Sequence, residues 1–345
     1  MISKKNLTVN HLSLEEYTVS MENIEVSILN YGATVTSLKV PNKQGTLENV
    51  VLSYASLEDY IKNNSFLNAI IGPTSGRIKD GLIHINNKQI QLDQNFIDKH
   101  HLHGGKECFA FQLFDINIKE YDDHTDVICS LSINTEDSYY PGNKDITITY
   151  IVEPNQLKIK FEGSTDEDTL LNMTSHLYFN LSGEKSDILN HYLMIDVDNL
   201  IDLNHEFVPT NIKNVKDVSL DVTNPMMLKN LLTKELVSSH IKGIDHPFIL
   251  NKKKYYDASL YDPTSQRHLQ IKTTYPIIVC YTHNYPEEKE LTNNTTNIAH
   301  QGICFETQYI PNHEAFKDLA QPFLKASEKY EHQTTYIFSI KNESK

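Results

Sequence analysis

The chain has 345 residues, 39% of them hydrophobic and 22% charged, enough apolar sequence for a sizeable core. Its formal charge of −14 argues against nucleic acid or an anionic membrane surface as partner, since either needs clustered Lys and Arg. No apolar run approaches the roughly 18 residues of a membrane span, and MISKKNLTVNHLSLEEY lacks the apolar segment of a secretory signal, so a cytoplasmic location is expected.

In chain order, short segments of alternating character recur: IEVSILN, ATVTSLKV, LIHINNKQIQL, VICSLSIN, DITITYIV and QLKIKFEG. They are rich in Ile, Val, Thr and Tyr and are separated by turn residues such as Asn86-Asn87-Lys88, Pro141-Gly142 and Pro154-Asn155. That punctuation predicts antiparallel strands. Helical periodicity is confined to SLEDYIKN and KNLLTKELVSSHI, each long enough for a helix of a few turns, and neither opens a strand–helix alternation. The expected fold is all-β: one large antiparallel β-sandwich spanning residues 1–345 as a single domain, with a few short helices. Two smaller β domains are the alternative. Cys108, Cys129, Cys280 and Cys304 form no C-x-x-C pair and read as reduced core residues.

Five places carry side chains suited to chemistry. In IIGPTSGRIKDG, Arg77 follows a Gly-rich turn. In HHLHGG, residues 100–105, His101 and His103 are two apart, and with Glu107 they imitate the H-x-H-x3-E metal spacing of cupins. The imitation lacks the preceding glycine and a second His-bearing segment, so no metal is expected. In NMTSHLYFNL, residues 172–181, a two-residue period puts Asn172, Thr174, His176, Tyr178 and Asn180 on one face and mostly apolar residues on the other. GIDHPF offers Asp245 after a glycine turn. In GICFETQYIP, residues 302–311, Cys304, Glu306 and Gln308 share a face, and a carboxylate among such apolar neighbours is costly to bury.

Nucleophile elbows, phosphate loops and dinucleotide turns are missing from the sequence. A Glu, two His, an Asp and an Arg remain. That set suits proton transfer on a neutral polyhydroxy ligand, with a carboxylate as base, an imidazole as acid and further polar groups holding hydroxyls.

The order of these motifs resembles the aldose 1-epimerase (galactose mutarotase) family over nearly the whole chain. LNYGATVTSLKVPNKQG and NVVLSYASLEDY look like its opening strands, and EKYEHQTTYIFS like its closing one. HLHGG, NMTSHLYFNLSG, GIDHPF and FETQYIPN are similar to its remaining signatures. The resemblance implies a mutarotase-like supersandwich and the interconversion of α and β anomers of an aldose. Glu306 would be the catalytic base and His176 the acid, with His103 near the ring oxygen. Arg77, Asp245, Tyr178 and Gln308 would contact the sugar. No cofactor is implied; the partner is a monosaccharide, and the protein is expected as a monomer or homodimer. With ordinary values near 4.3 and 6.5, Glu306 and His176 would need only modest tuning to start as carboxylate and imidazolium. Two departures fall on ligand contacts. The family commonly reads G-R-x-A-N-R-I where this chain has Pro73 and Gly76 before Arg77, and a sugar-contacting glutamine becomes Val279. They leave the preferred sugar open. A hexose-phosphate epimerase and a non-catalytic sugar-binding protein on the same fold are the alternatives.

Overall fold

Along Gln156–Thr165, residues Leu157, Ile159 and Phe161 are fully buried while the intervening Lys158, Lys160 and Glu162 stay half-buried. This is the pattern of a strand with one face on a core. In the computed structural model, which describes residues 1–183, 185–292 and 295–341, such strands assemble into three large antiparallel sheets. A nine-stranded sheet runs in the order Asp115–Glu120, Thr125–Ile133, Lys144–Glu153, Gln156–Thr165, Tyr330–Ile340, Arg267–Thr273, Ala258–Tyr261, Tyr192–Ile195 and Met226–Met227. A six-stranded sheet runs Tyr178–Phe179, Ile303–Gln308, Ile277–Tyr281, Asp245–Leu250, Val197–Leu203 and Pro209–Asn214. The first 49 residues supply a five-stranded sheet of their own.

The main apolar cluster joins all three. Phe161 and Tyr336 of the nine-stranded sheet meet Phe179, Phe248 and Phe305 of the six-stranded one, with Val26 and Val35 from the N-terminal sheet. Phe179 and Tyr336 place their ring centroids 5.2 Å apart across that layer. One face of the six-stranded sheet is thus spent on the core, which leaves the other free to carry polar side chains. All four cysteines are buried and free.

Three local expectations change. SLEDYIKN makes only a 3-10 turn, Leu57–Tyr60, capped by Ser56. KNLLTKELVSSHI breaks into Leu228–Leu231 and Lys234–Ser238, because the Thr233 hydroxyl accepts from the Leu236 amide and caps a new helix. Residues 172–181 are not one strand. Thr174–Ser175 pairs with Ile70–Ile71, and Tyr178–Phe179 pairs with Ile303–Cys304. Between them, His176 bonds through its backbone to Ala69 and Asn68. The chain switches partners at the histidine. Among the described residues, no helix is long and apolar enough to cross a membrane.

Candidate active site

Register across the six-stranded sheet lays out its free face in rows. Asp245, Tyr281, Cys304 and Tyr178 stand opposite one another on successive strands. The next row holds Pro247, Val279 and Glu306, and the one after it Ile249, Ile277 and Gln308. A cavity of about 540 Å³ opens over the first two rows and takes His103, His176, Tyr178, Asp245, Glu306 and Arg77 into its wall. That volume lies within the range of small-molecule sites.

His103 reaches the cavity through a tight turn. His101–Leu102 pairs with Arg77–Ile78, and the backbone then turns left-handed at His103 (φ 52°) and Gly104 (φ 81°). A Cβ at Gly104 would lie 2.2 Å from the Gly72 carbonyl oxygen, so only glycine fits. The turn separates the two histidines. His101 bonds to the Asp93 carbonyl and the Tyr140 hydroxyl, each at 2.9 Å, and Glu107 accepts from Ser138 and the Tyr139 amide. The cupin-like trio is therefore not assembled.

His176 Nε2 lies 3.5 Å from Glu306 Oε1, both side chains 5% exposed. Phe66 packs edge-on to His103 at 4.9 Å and tilted to His176 at 6.2 Å, adding apolar surface beside both rings. Burial pushes Glu306 up to about 8; the Asp245 carboxylate adds to the rise and Arg77 opposes it. Burial also drives His176 down to about 3 and holds His103 well below the usual imidazole range. The expectation of modest tuning is corrected: burial of both groups favours neutral partners over carboxylate and imidazolium.

Arg77 donates to Asp245 Oδ2 at 3.3 Å, and its guanidinium stacks 4.7 Å from the Phe96 ring and 5.2 Å from Phe207. These two phenylalanines and Phe66 were not legible as site residues. They come from separate loops and carry no local signal beyond being aromatic. Tyr178 lines the cavity and donates its hydroxyl to the Ser65 carbonyl at 2.8 Å. Other members of its sequence row turn away: Asn172 bonds to the Tyr309 backbone and Asn180 to the Ser186 and Gln301 carbonyls. Gln308 is not brought to the cavity wall. It is fully buried near Gly76, and among the described residues its amide has no partner.

His103, His176 and Glu306 each offer a ligand atom within 4.8 Å of the others, a spacing that a divalent cation could use. The proton arrangement does not fit one at His103. The Gly76 N–H donates to His103 Nδ1 at 3.2 Å, which leaves the neutral ring's proton on Nε2, and a protonated nitrogen has no lone pair for a metal. The same proton makes His103 a hydrogen-bond donor.

A buried carboxyl and imidazole 3.5 Å apart, lining a cavity on the free face of an antiparallel sheet, is an arrangement suited to proton transfer on a small ligand. Residues 15–337 match the family model described as aldose 1-epimerase. A galactose mutarotase from Sus scrofa is 30% identical over 334 residues, covering 95% of each chain. An Escherichia coli aldose 1-epimerase is 28% identical over 323 residues, 91% of each. The crystal structure of a galactose 1-epimerase from Lactobacillus acidophilus superposes with a TM-score of 0.86 at 28% identity, covering 98% of both chains. The chain belongs to the aldose 1-epimerase family.

Proposed function

We propose that this chain catalyses mutarotation of an unphosphorylated aldose, with Glu306 and His176 as the proton carriers. The approach of those two side chains to 3.5 Å inside a buried cavity carries the proposal. With Glu306 near 8 and His176 near 3, the pair holds one proton at neutral pH, resting on Glu306. The carboxylate–imidazolium form is the same pair with that proton moved across. Sugar hydroxyls that hydrogen-bond the carboxylate favour the move, because bonds to the charged form lower a carboxyl pKa. Glu306 then takes the proton of the C1 hydroxyl while His176 gives one to the ring oxygen. The ring opens to the aldehyde, rotation about C1–C2 presents the other carbonyl face, and reclosure reverses both transfers. His103 donates from Nε2 beside the ring oxygen. Asp245 and Arg77 hold hydroxyls away from C1, and Tyr178 accepts from one. No electrons and no group are transferred, so the chemistry asks for no cofactor.

The lining also favours a neutral sugar. Among the described residues, Arg77 is the only cation in the wall, and it is already paired with Asp245. A phosphate would meet Asp245, Glu287 and Glu306 instead. Support for residues 1–345 acting as one unit comes from the main apolar cluster, which runs from Val19 to Phe338. Polarimetry on freshly dissolved α-D-glucose, α-D-galactose and several pentoses, beside glucose 6-phosphate, tests the reading. Acceleration of the free sugars is expected; activity on the phosphate alone would contradict it.

A further inference from the structure

Arg77 lines the cavity, yet hydrogen bonds do little to orient it. Among the described residues its side chain makes one, to Asp245 at 3.3 Å, and its Nε is buried without a partner. The plane of the guanidinium is set by the two rings beside it, Phe96 at 4.7 Å and Phe207 at 5.2 Å. Those rings stand on separate turns, each closed by its own bonds. In one, Phe96 and His100 exchange two backbone hydrogen bonds of 2.9 Å. In the other, the Asn204 side chain accepts from the Glu206 and Val208 amides at 2.9 and 3.0 Å. A single side chain joins the turns. Lys99 Nζ donates to both carboxylate oxygens of Glu206, at 2.8 and 2.9 Å, and His100 Nε2 lies 3.2 Å from Glu206 Oε2. The Asp80 amide donates to His100 Nδ1 at 2.9 Å, and a ring that accepts there carries its hydrogen on Nε2, facing the carboxylate. Among the described residues, every hydrogen bond between the two turns ends on Glu206.

We propose that Glu206 is a positioning residue for sugar binding: by clasping Lys99 and His100 it holds Phe96 and Phe207 together on the Arg77 guanidinium and keeps that group turned toward the sugar. This rests on the reading of Arg77 as a hydroxyl-binding group. Glu206 does not line the cavity, so it acts through Arg77 rather than by touching the ligand. Without the clasp the turns are free to part and the rings to separate. Arg77 would keep Asp245 but lose its fixed plane, and a sugar would have to order the side chain on binding. The two halves of the clasp differ in weight. Lys99 is exposed, and its pair with Glu206 is worth little alone. His100 is fully buried, and its hydrogen bond to a charged acceptor contributes more.

The chain has two arginines, Arg77 and Arg267, so the full chain labelled with ¹⁵N-arginine gives two side-chain Nε signals. The Arg77 signal is the one lost in Arg77→Ala; Arg267, bonded to Glu48, serves as an internal reference. Without sugar, the ring currents of Phe96 and Phe207 are expected to displace the Arg77 guanidinium protons upfield. Glu206→Ala is expected to move the Arg77 signal toward that of a solvated arginine and leave Arg267 in place. In polarimetry the same variant is expected to raise KM about fivefold with a smaller fall in kcat. In an Arg77→Ala background it is expected to change kcat/KM by less than about twofold, because its effect passes through Arg77. An unmoved Arg77 signal in a folded Glu206→Ala overturns the proposal. So does a fall in kcat/KM of the same size in both backgrounds. Should Glu206→Ala not fold, Lys99→Met opens the exposed half of the clasp and is expected to shift the signal the same way; no shift there overturns the proposal as well. A failure of wild type to accelerate any aldose would strike the functional reading, while the sugar-free Arg77 signal still decides whether Glu206 holds the guanidinium.

Discussion

His176 and Glu306 face each other at 3.5 Å with both side chains buried, and the burial moves their proton affinities in opposite directions, the imidazole down to about 3 and the carboxyl up to about 8. Between those values the pair carries one proton, so turnover should be nearly flat across that window. The alkaline limb should fall near 8 as the last proton leaves, and the acid limb should appear only toward 3 as a second is added. The limbs report the coupled pair rather than either residue alone. A kcat/KM profile confined to a narrow bell between roughly 4.3 and 6.5, the ordinary values of the two groups, would show that burial does not govern them.

The same burial has a cost in stability. Glu306 titrates at about 8 in the fold against 4.5 for the exposed group. Above 4.5 the unfolded chain releases this proton and the folded chain keeps it. Stability from this group is therefore fully present below the unfolded value and is lost progressively as pH rises through the folded one. Glu306→Gln cannot ionise and escapes the loss. Thermal melts should show the Gln variant gaining more over wild type at pH 8 than at pH 5. An equal gain at both would place the cost elsewhere.

Asp245 holds Arg77 at 3.3 Å and lines the cavity itself. Asp245→Asn weakens that hold and removes the charge proposed to accept from sugar hydroxyls, whereas Glu306 and His176, the proposed proton carriers, stay in place. KM should rise by on the order of tenfold, with a smaller fall in kcat. Steady-state kinetics on the preferred aldose would check this; a loss confined to kcat would make Asp245 part of the proton chemistry.

How much of this could be read from the sequence depended on whether the signal was local. Two-residue periodicity marked the strands because one face of each is buried. Glu306 stands out as a carboxylate among apolar neighbours, and His176 as an imidazole at the centre of a row of uncharged polar side chains. The helices failed at Thr233, where a side-chain cap overrode periodicity. The two-residue period puts Asn172 to Asn180 on one face, but the chain changes partners at His176, so Asn172 and Asn180 bond to backbone instead of lining the cavity. Gln308 shares a face with Glu306 yet lies one row further, near Gly76. Phe66, Phe96 and Phe207 meet only in three dimensions, and no local pattern could have joined them.

Gly76 stands where the family commonly has asparagine. It adopts φ 74°, and a Cβ there would lie 2.5 Å from Pro311 Cβ. Gly76→Ala should destabilise the fold by about 1 kcal/mol or more, from the strained backbone and the clash together. It should also disturb the amide that bonds His103. Chemical denaturation beside wild type would measure the first effect, and an unchanged midpoint would mean that the loop shifts freely.

The central claim is that Glu306 moves the proton in aldose mutarotation. Its most direct test is polarimetry of wild type and a well-folded Glu306→Gln on the aldose that wild type turns over fastest. The substitution keeps size and hydrogen bonding and removes the base, so turnover should fall by on the order of a hundredfold or more. Near-normal turnover in the Gln variant would contradict the account and leave the strand Ile303–Gln308 as only a wall of the site.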